Sequence, residues 1–179
     1  MAKSTSRLLV IDTSVARAAG NIDAVHPTGK NCRDLLQSVL TICHRIAMPE
    51  ELRNEWNKHR SAFARGWLVQ MFARKKVKLD SPPEQADLLQ KVASARVSPG
   101  QADAMRKDWL LIEAALDSDR SIVSLDDTAR DAFRTAAHEV ADLCKIVWVN
   151  PDKPAERAIE WLQRGAEPEK ARMPGIRSS

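Results

Sequence analysis

Apolar residues along this chain switch between short continuous runs and helically spaced stripes, and the switches divide it into elements. Leu8–Ile11 is a continuous apolar run behind a polar leader, which predicts a buried strand ending at Asp12. Asp12-Thr13-Ser14 then supplies a helix-start signal. A loop with Gly, His and Pro covers 20–30, and Leu35, Leu36, Val39 and Leu40 repeat with helical period between Cys32 and Cys43. RIAMP at 45–49 fits a short strand, Glu50 opens a long helical region, and KKVKL at 75–79 fits a short strand or turn. A helix is predicted over 81–94, and Ser98-Pro99 forms an N-cap and first-turn pair for another running to about Leu116. SIVSL at 121–125 is the clearest second strand, Asp126 and Asp127 cap a helix over 128–140, KIVWV at 145–149 is a third strand, and a last helix covers 154–164. Strands alternating with helices predict an α/β fold, with a central parallel sheet flanked by helices on both faces. One domain is expected over 1–164, with a flexible C-terminal tail over 165–179.

Length and composition narrow the class. A chain of 179 residues suits one domain, and 44% hydrophobic with 29% charged residues excludes collagen, extensive disorder and disulfide scaffolds. The longest apolar runs are far below the roughly 20 residues of a spanning helix, and residues 1–7 lack the apolar segment of a signal peptide, so a cytoplasmic protein is expected. Cys32, Cys43 and Cys144 are odd in number and show no C-x-x-C spacing. They are expected to be reduced, buried or partly buried thiols.

Charge is unevenly placed. Between Arg53 and Lys78 eight basic residues face a single acid, Glu55, so this window carries +7 while the whole chain carries only +4. Such an edge suits a polyphosphate ligand. Leu52, Trp56, Phe63 and Trp67 recur within it at helical spacing, which assigns those aromatics to the core and leaves only some of the cations, notably Arg74, Lys75 and Lys76, to contact phosphates.

Carboxylates stand in unexpected positions. Two of the three clear strands end in acid, at Asp12 and Asp126, and ligands of open parallel sheets bind beyond the carboxyl ends of the strands. Asp108 lies on a helical stripe otherwise built from Ala104, Met105, Leu111, Ile112 and Ala115. A buried carboxylate is costly unless it is paired or binds a metal. Glu55 repeats the anomaly at the inner edge of the stripe that carries Leu52 and Trp56. Four acids converging on one end of a sheet would repel one another without a cation, and all-oxygen ligands suit Mg²⁺ or Mn²⁺.

The order of strand-Asp12-Thr13-Ser14, Leu52-x-x-Glu55, Asp108 followed by WLLIEAAL, and IVSL-Asp126 resembles the PIN domain family of metal-dependent ribonucleases, which includes the toxins of bacterial toxin–antitoxin pairs. The likeness runs from Leu8 to about Asn150. Its implication is an endoribonuclease whose Asp12, Glu55, Asp108 and Asp126 form the acidic, Mg²⁺- or Mn²⁺-binding catalytic set, with Ser14 as a hydroxyl near the metal. It further implies cleavage that leaves a 5′-phosphate, and often a cognate antitoxin and a dimer. Ser124 stands where the family usually has Thr, Asp127 adds an acid read as a helix cap, and the choice of Glu55 over Glu50 or Glu51 rests on the L-x-x-E pattern.

Other motifs fail. HPTGK at 26–30 ends like a P-loop but has Ala24 where Gly is required and Asn31 where Ser or Thr is required. The four histidines show no zinc-site spacing and are expected at the surface or as satisfied core residues, with His59 one turn after Glu55. A phosphorelay receiver would want two adjacent acids after the first strand, where Thr13 and Ser14 stand. Two rivals to the ribonuclease remain: a non-catalytic PIN-like module that binds RNA or protein, and a related metal-dependent DNase.

Overall fold

The computed structural model describes residues 5–20, 23 and 25–174. The chain is α/β. Among the described residues β1 (Leu8–Ile11), β2 (Arg45–Ala47), β3 (Val77–Lys78), β4 (Ser121–Val123) and β5 (Val147–Val149) form one all-parallel sheet in the order β3-β2-β1-β4-β5. Successive residues of a strand face opposite sides of a sheet. Leu9, Val10, Ile11, Ile122, Val123, Val147, Trp148 and Val149 are all buried, so helices cover both faces. This is why the strands are continuous apolar runs.

The helices are α1 (Thr13–Ala18), α2 (Pro27–Thr41), α3 (Glu50–His59), α4 (Ala62–Ala73), α5 (Ala86–Ala93), α6 (Pro99–Lys107), α7 (Trp109–Leu116), α8 (Asp127–Ala136) and α9 (Ala158–Gln163). Several start where the sequence signals them. Ser98 and Gln101 close a reciprocal capping box on α6, and the Asp126 side chain accepts from the Ala129 N–H at 2.8 Å to cap α8. Trp56 and Trp67 are buried and stacked 5.8 Å apart, as expected of a core stripe, whereas Phe72 is exposed.

Three expectations about element extent are corrected. The helical region opened by Glu50 breaks at Arg60, because the Ser61 hydroxyl caps α4 by accepting from the Ala64 N–H at 3.1 Å. The helix expected from Pro99 to Leu116 breaks at Asp108, which sits at φ −101°, ψ 11° between α6 and α7. Asp108 is therefore at a helix junction and only partly buried. Residues 165–174 do not hang free of the body. Ala166 is buried, the Trp161 indole donates to the Glu167 carbonyl at 2.8 Å, and the Arg172 guanidinium lies over the Trp161 ring and donates to the Glu156 carbonyl. Residues 175–179 of the expected tail lie outside the described residues.

The thiols and histidines divide by burial. No disulfide joins the three cysteines. Cys32 is buried and its thiol is pushed up to about 12, chiefly by desolvation, but Cys43 is exposed, contrary to expectation, because it follows the end of α2 at the surface. His44 is a satisfied core residue: Nδ1 accepts from the Arg7 N–H at 3.1 Å and Nε2 lies 2.8 Å from the Leu162 carbonyl.

Two of the three cations expected to meet RNA are committed to the fold. The Lys76 ammonium donates to the carbonyls of Val39 at 2.8 Å, Leu40 at 2.9 Å and Ile42, and Arg74 donates to the Leu40 carbonyl at 3.0 Å. These oxygens lie at and just beyond the carboxyl end of α2, where helical partners run out and a cation also meets the helix dipole. Burial, then the charge of Arg74, holds the Lys76 ammonium below its usual range. Arg74, Lys75 and Lys76 also precede β3, so they lie at the amino edge of the parallel sheet, opposite Asp12 and Asp126. Lys76→Met is expected to cost about 1–2 kcal/mol, a fall of roughly 2–8 °C in thermal midpoint, with Lys75→Met close to neutral. Equal midpoints for the two variants in a thermal melt would refute the capping role.

Candidate active site

The strand order places a topological switch between β1 and β4: from β1 the chain moves outward to β2 and β3, then returns to β4 on the other side. A crevice forms at the carboxyl ends of such neighbours. Asp12 directly follows β1, and Asp126 comes three residues after the end of β4, so the crevice is rimmed by carboxylates.

Local register fixes Asp12. Ile11 pairs with Val123, the Asp12 N–H donates to the Val123 carbonyl at 2.9 Å, and Ser124 thus comes opposite Asp12. The Ser124 hydroxyl donates to Asp12 Oδ2 at 2.8 Å, and the Ser14 hydroxyl donates to the same oxygen. Each hydroxyl is itself aimed by the backbone: Ser124 Oγ accepts from the Asp126 N–H at 3.0 Å and Ser14 Oγ from the Leu125 N–H at 3.2 Å. Oδ2 is thereby saturated, while the other oxygen, Oδ1, makes no hydrogen bond among the described residues. Asp126 is divided the same way, with Oδ1 capping α8.

Asp108 closes the set from the α6–α7 junction. Its Oδ2 is buried and has no hydrogen-bond partner among the described residues. Desolvation, followed by the charges of Asp12 and Asp126 and, more weakly, of Glu55, raises its carboxyl from 3.8 to about 7, while Lys107 acts in the opposite sense. The charges of Asp12, Asp126 and Glu55 all reach Asp108, so acids from four parts of the chain share one electrostatic neighbourhood. Of the acids on α3, Glu55 is the one whose charge acts on Asp108; Glu50 and Glu51 are exposed in its first turn. Glu55 is also exposed, which corrects its expected place at an inner helix edge. Trp56 tethers α3 to β1 through its indole N–H, which donates to the Ile11 carbonyl at 3.0 Å, immediately before Asp12. The sequence pattern identified Trp56 as core but carried no signal for this tether.

Two sequence candidates remain. Asp127 pairs with Lys153 at 2.9 Å and accepts from the Asn150 amide at 3.1 Å through Oδ2, which ties α8 to the chain after β5, while its Oδ1 is buried without a hydrogen bond among the described residues and the residue lines the depression that Ser14 and Asp126 share. His59 is exposed. Among the described residues, no three His, Cys, Asp or Glu side chains stand together as a ready-made chelate. The acids lie within electrostatic reach, with free oxygens on Asp12 and Asp126 and an orphaned buried one on Asp108. This donor set fits a hard divalent cation, whose ligands are oxygens and whose charge would offset their repulsion.

An open depression lined by Ser14, Arg17, Ala18, Leu125, Asp126, Asp127 and Thr128 lies beside the acids. Among the described residues, no helix is long and apolar enough to cross a membrane. No protein-family model and no curated protein matches the chain.

Proposed function

We propose that this protein is a PIN-like, Mg²⁺- or Mn²⁺-dependent endoribonuclease that hydrolyses RNA phosphodiester bonds. The observation that carries the reading is Asp108: a buried carboxylate oxygen without a partner, surrounded by the charges of Asp12, Asp126 and Glu55 at the switch point of a parallel sheet. A purely structural carboxylate would be expected to have a hydrogen-bond or ionic partner.

In this reading Asp12, Asp108, Asp126 and Glu55 hold the metal. When bound, it would lower the pKa of a water and neutralise charge building on the phosphoryl oxygens. The chain's own residues do the positioning. Ser14 and Ser124 hold one Asp12 oxygen and leave the other without a hydrogen bond, open to a metal. The α8 cap does the same for Asp126. Fixed ligand orientation of this kind is what outer hydrogen bonds provide in metal sites. The resemblance to toxins adds a cognate antitoxin and a dimer to the proposal, and a cytoplasmic location goes with them.

The test is cleavage of end-labelled single-stranded RNA by purified protein in Mn²⁺ or Mg²⁺, against EDTA and against DNA of the same sequence. Metal-dependent RNA products carrying 5′-phosphates are expected. Binding of RNA without cleavage in either metal would favour a non-catalytic module, and cleavage of DNA alone would favour a DNase.

A further inference from the structure

We propose that Arg53, Arg60 and Arg65, clustered where α3 turns into α4, form the docking site for the phosphate backbone of the RNA strand delivered to the acids. This inference rests on the nuclease reading.

The corner belongs to the carboxyl edge of the sheet. α3 begins after β2 and α4 leads back toward β3, so the turn between them stands away from the amino edge. The corner is fastened to the site through α1, where the Ser61 N–H donates to the Ala16 carbonyl at 3.0 Å. Ala16 is about one helical turn beyond Asp12. Arg53 lies on the exposed side of α3, Arg60 is the extended residue that ends it, and Arg65 lies in the first turns of α4, while the charge of Glu55 on α3 acts on Asp108.

The cations are unspent. Arg53 and Arg65 are exposed, Arg60 is partly buried, and among the described residues no carboxylate pairs with any of the three. Elsewhere the protein pairs its guanidinium groups freely, as Arg130 does with Glu156 and Arg172 with Glu169. Burial and the like charges of Arg65 and Arg53 hold Arg60 below its usual value, so the cluster repels itself until an anion arrives. Guanidinium groups match phosphate oxygens in bidentate geometry, and successive phosphates of a strand offer repeated partners. A single phosphate would leave most of the cluster unused.

The test compares Arg53→Gln/Arg60→Gln/Arg65→Gln with a charge-matched control, Lys75→Gln/Lys91→Gln/Lys145→Gln, built from exposed lysines elsewhere. Affinity for an unstructured RNA oligonucleotide is measured by fluorescence anisotropy in EDTA at several salt concentrations. Each phosphate contact contributes about 0.7 to the log–log salt slope for single strands, so the corner variant should lose roughly 2 from the slope while the control keeps nearly all of it. The corner variant should also melt no lower than the parent, since it removes repulsion. A parental slope in the corner variant, equal losses in the two variants, or no RNA binding by the parent would each overturn the docking site. Because no divalent metal is present, a protein that binds RNA through this corner yet fails to cleave it in Mn²⁺ overturns the catalytic reading and leaves the docking site standing. Cleavage by a corner variant with parental salt slope does the reverse.

Discussion

Asp12→Asn is expected to lower RNA cleavage in Mn²⁺ by roughly 10³-fold or more, equivalent to about 4 kcal/mol of transition-state stabilisation, while leaving the protein folded. Asparagine can keep the hydrogen bonds from Ser14 and Ser124 through its amide oxygen, so the β1–β4 junction has the same partners. What disappears is the negative charge, and with it one metal ligand. Ser124→Ala should be milder, on the order of 10-fold, because it frees the Asp12 carboxylate to reorient without removing it. Asp127→Asn should be close to parental, since Asp127 Oδ2 is already engaged by Lys153 and Asn150. Steady-state cleavage rates, with circular dichroism to verify folding, separate these cases. Parental activity in Asp12→Asn, with contaminating nuclease excluded, would end the proposed mechanism.

In metal-free protein, stability should fall as pH rises from about 4 to about 7, and Asp108→Asn should remove most of that fall. Desolvation and the neighbouring acids raise the native Asp108 carboxyl from 3.8 to about 7. Between those values the native state keeps a proton that the unfolded chain has lost, so raising the pH favours unfolding. The contribution is on the order of 2–4 kcal/mol by pH 7, allowing for screening at a partly solvated site. Asp108→Asn should therefore raise the metal-free midpoint at neutral pH by roughly 5–10 °C. Mn²⁺ should stabilise the parent by about 2.7 kcal/mol at one hundred times its dissociation constant, and the variant much less. Thermal melts at several pH values, in EDTA and in Mn²⁺, read all three effects. Destabilisation by Asp108→Asn in EDTA at pH 7 would mean that the carboxylate makes a favourable contact and that the acids do not crowd it.

The consequence for the basic segment is a change of end. Its charge suits a polyanion, yet its two halves lie at opposite edges of the sheet, separated by the length of α4. The Arg74–Lys76 end closes α2, and the Arg53–Arg65 end is fastened to α1 through Ser61 and Ala16. A sum of charge along a sequence cannot distinguish these fates.

What this sequence determined by itself was whatever depends on neighbours along the chain. Leu8–Ile11, Ser121–Val123 and Val147–Val149 are legible as buried strands because a parallel sheet covered on both faces needs continuous apolar runs. Ser98 and Asp126 are legible as caps because capping is local hydrogen bonding. Even the four acids stood out singly, since each broke a pattern or ended a strand. Only the tertiary structure decided the rest. The break at Asp108 interrupts a helix with no Pro or Gly to announce it. The L-x-x-E pattern had singled out Glu55, but that its charge, and not that of Glu50 or Glu51, reaches Asp108 depends on how α3 is set once the Trp56 indole meets Ile11. The crevice between β1 and β4 exists only because strands more than a hundred residues apart lie side by side. The occupation of Lys76 by carbonyls of a helix over thirty residues away could not be read from a charge count, because hydrogen bonding between distant segments is set by the packing that brings them together.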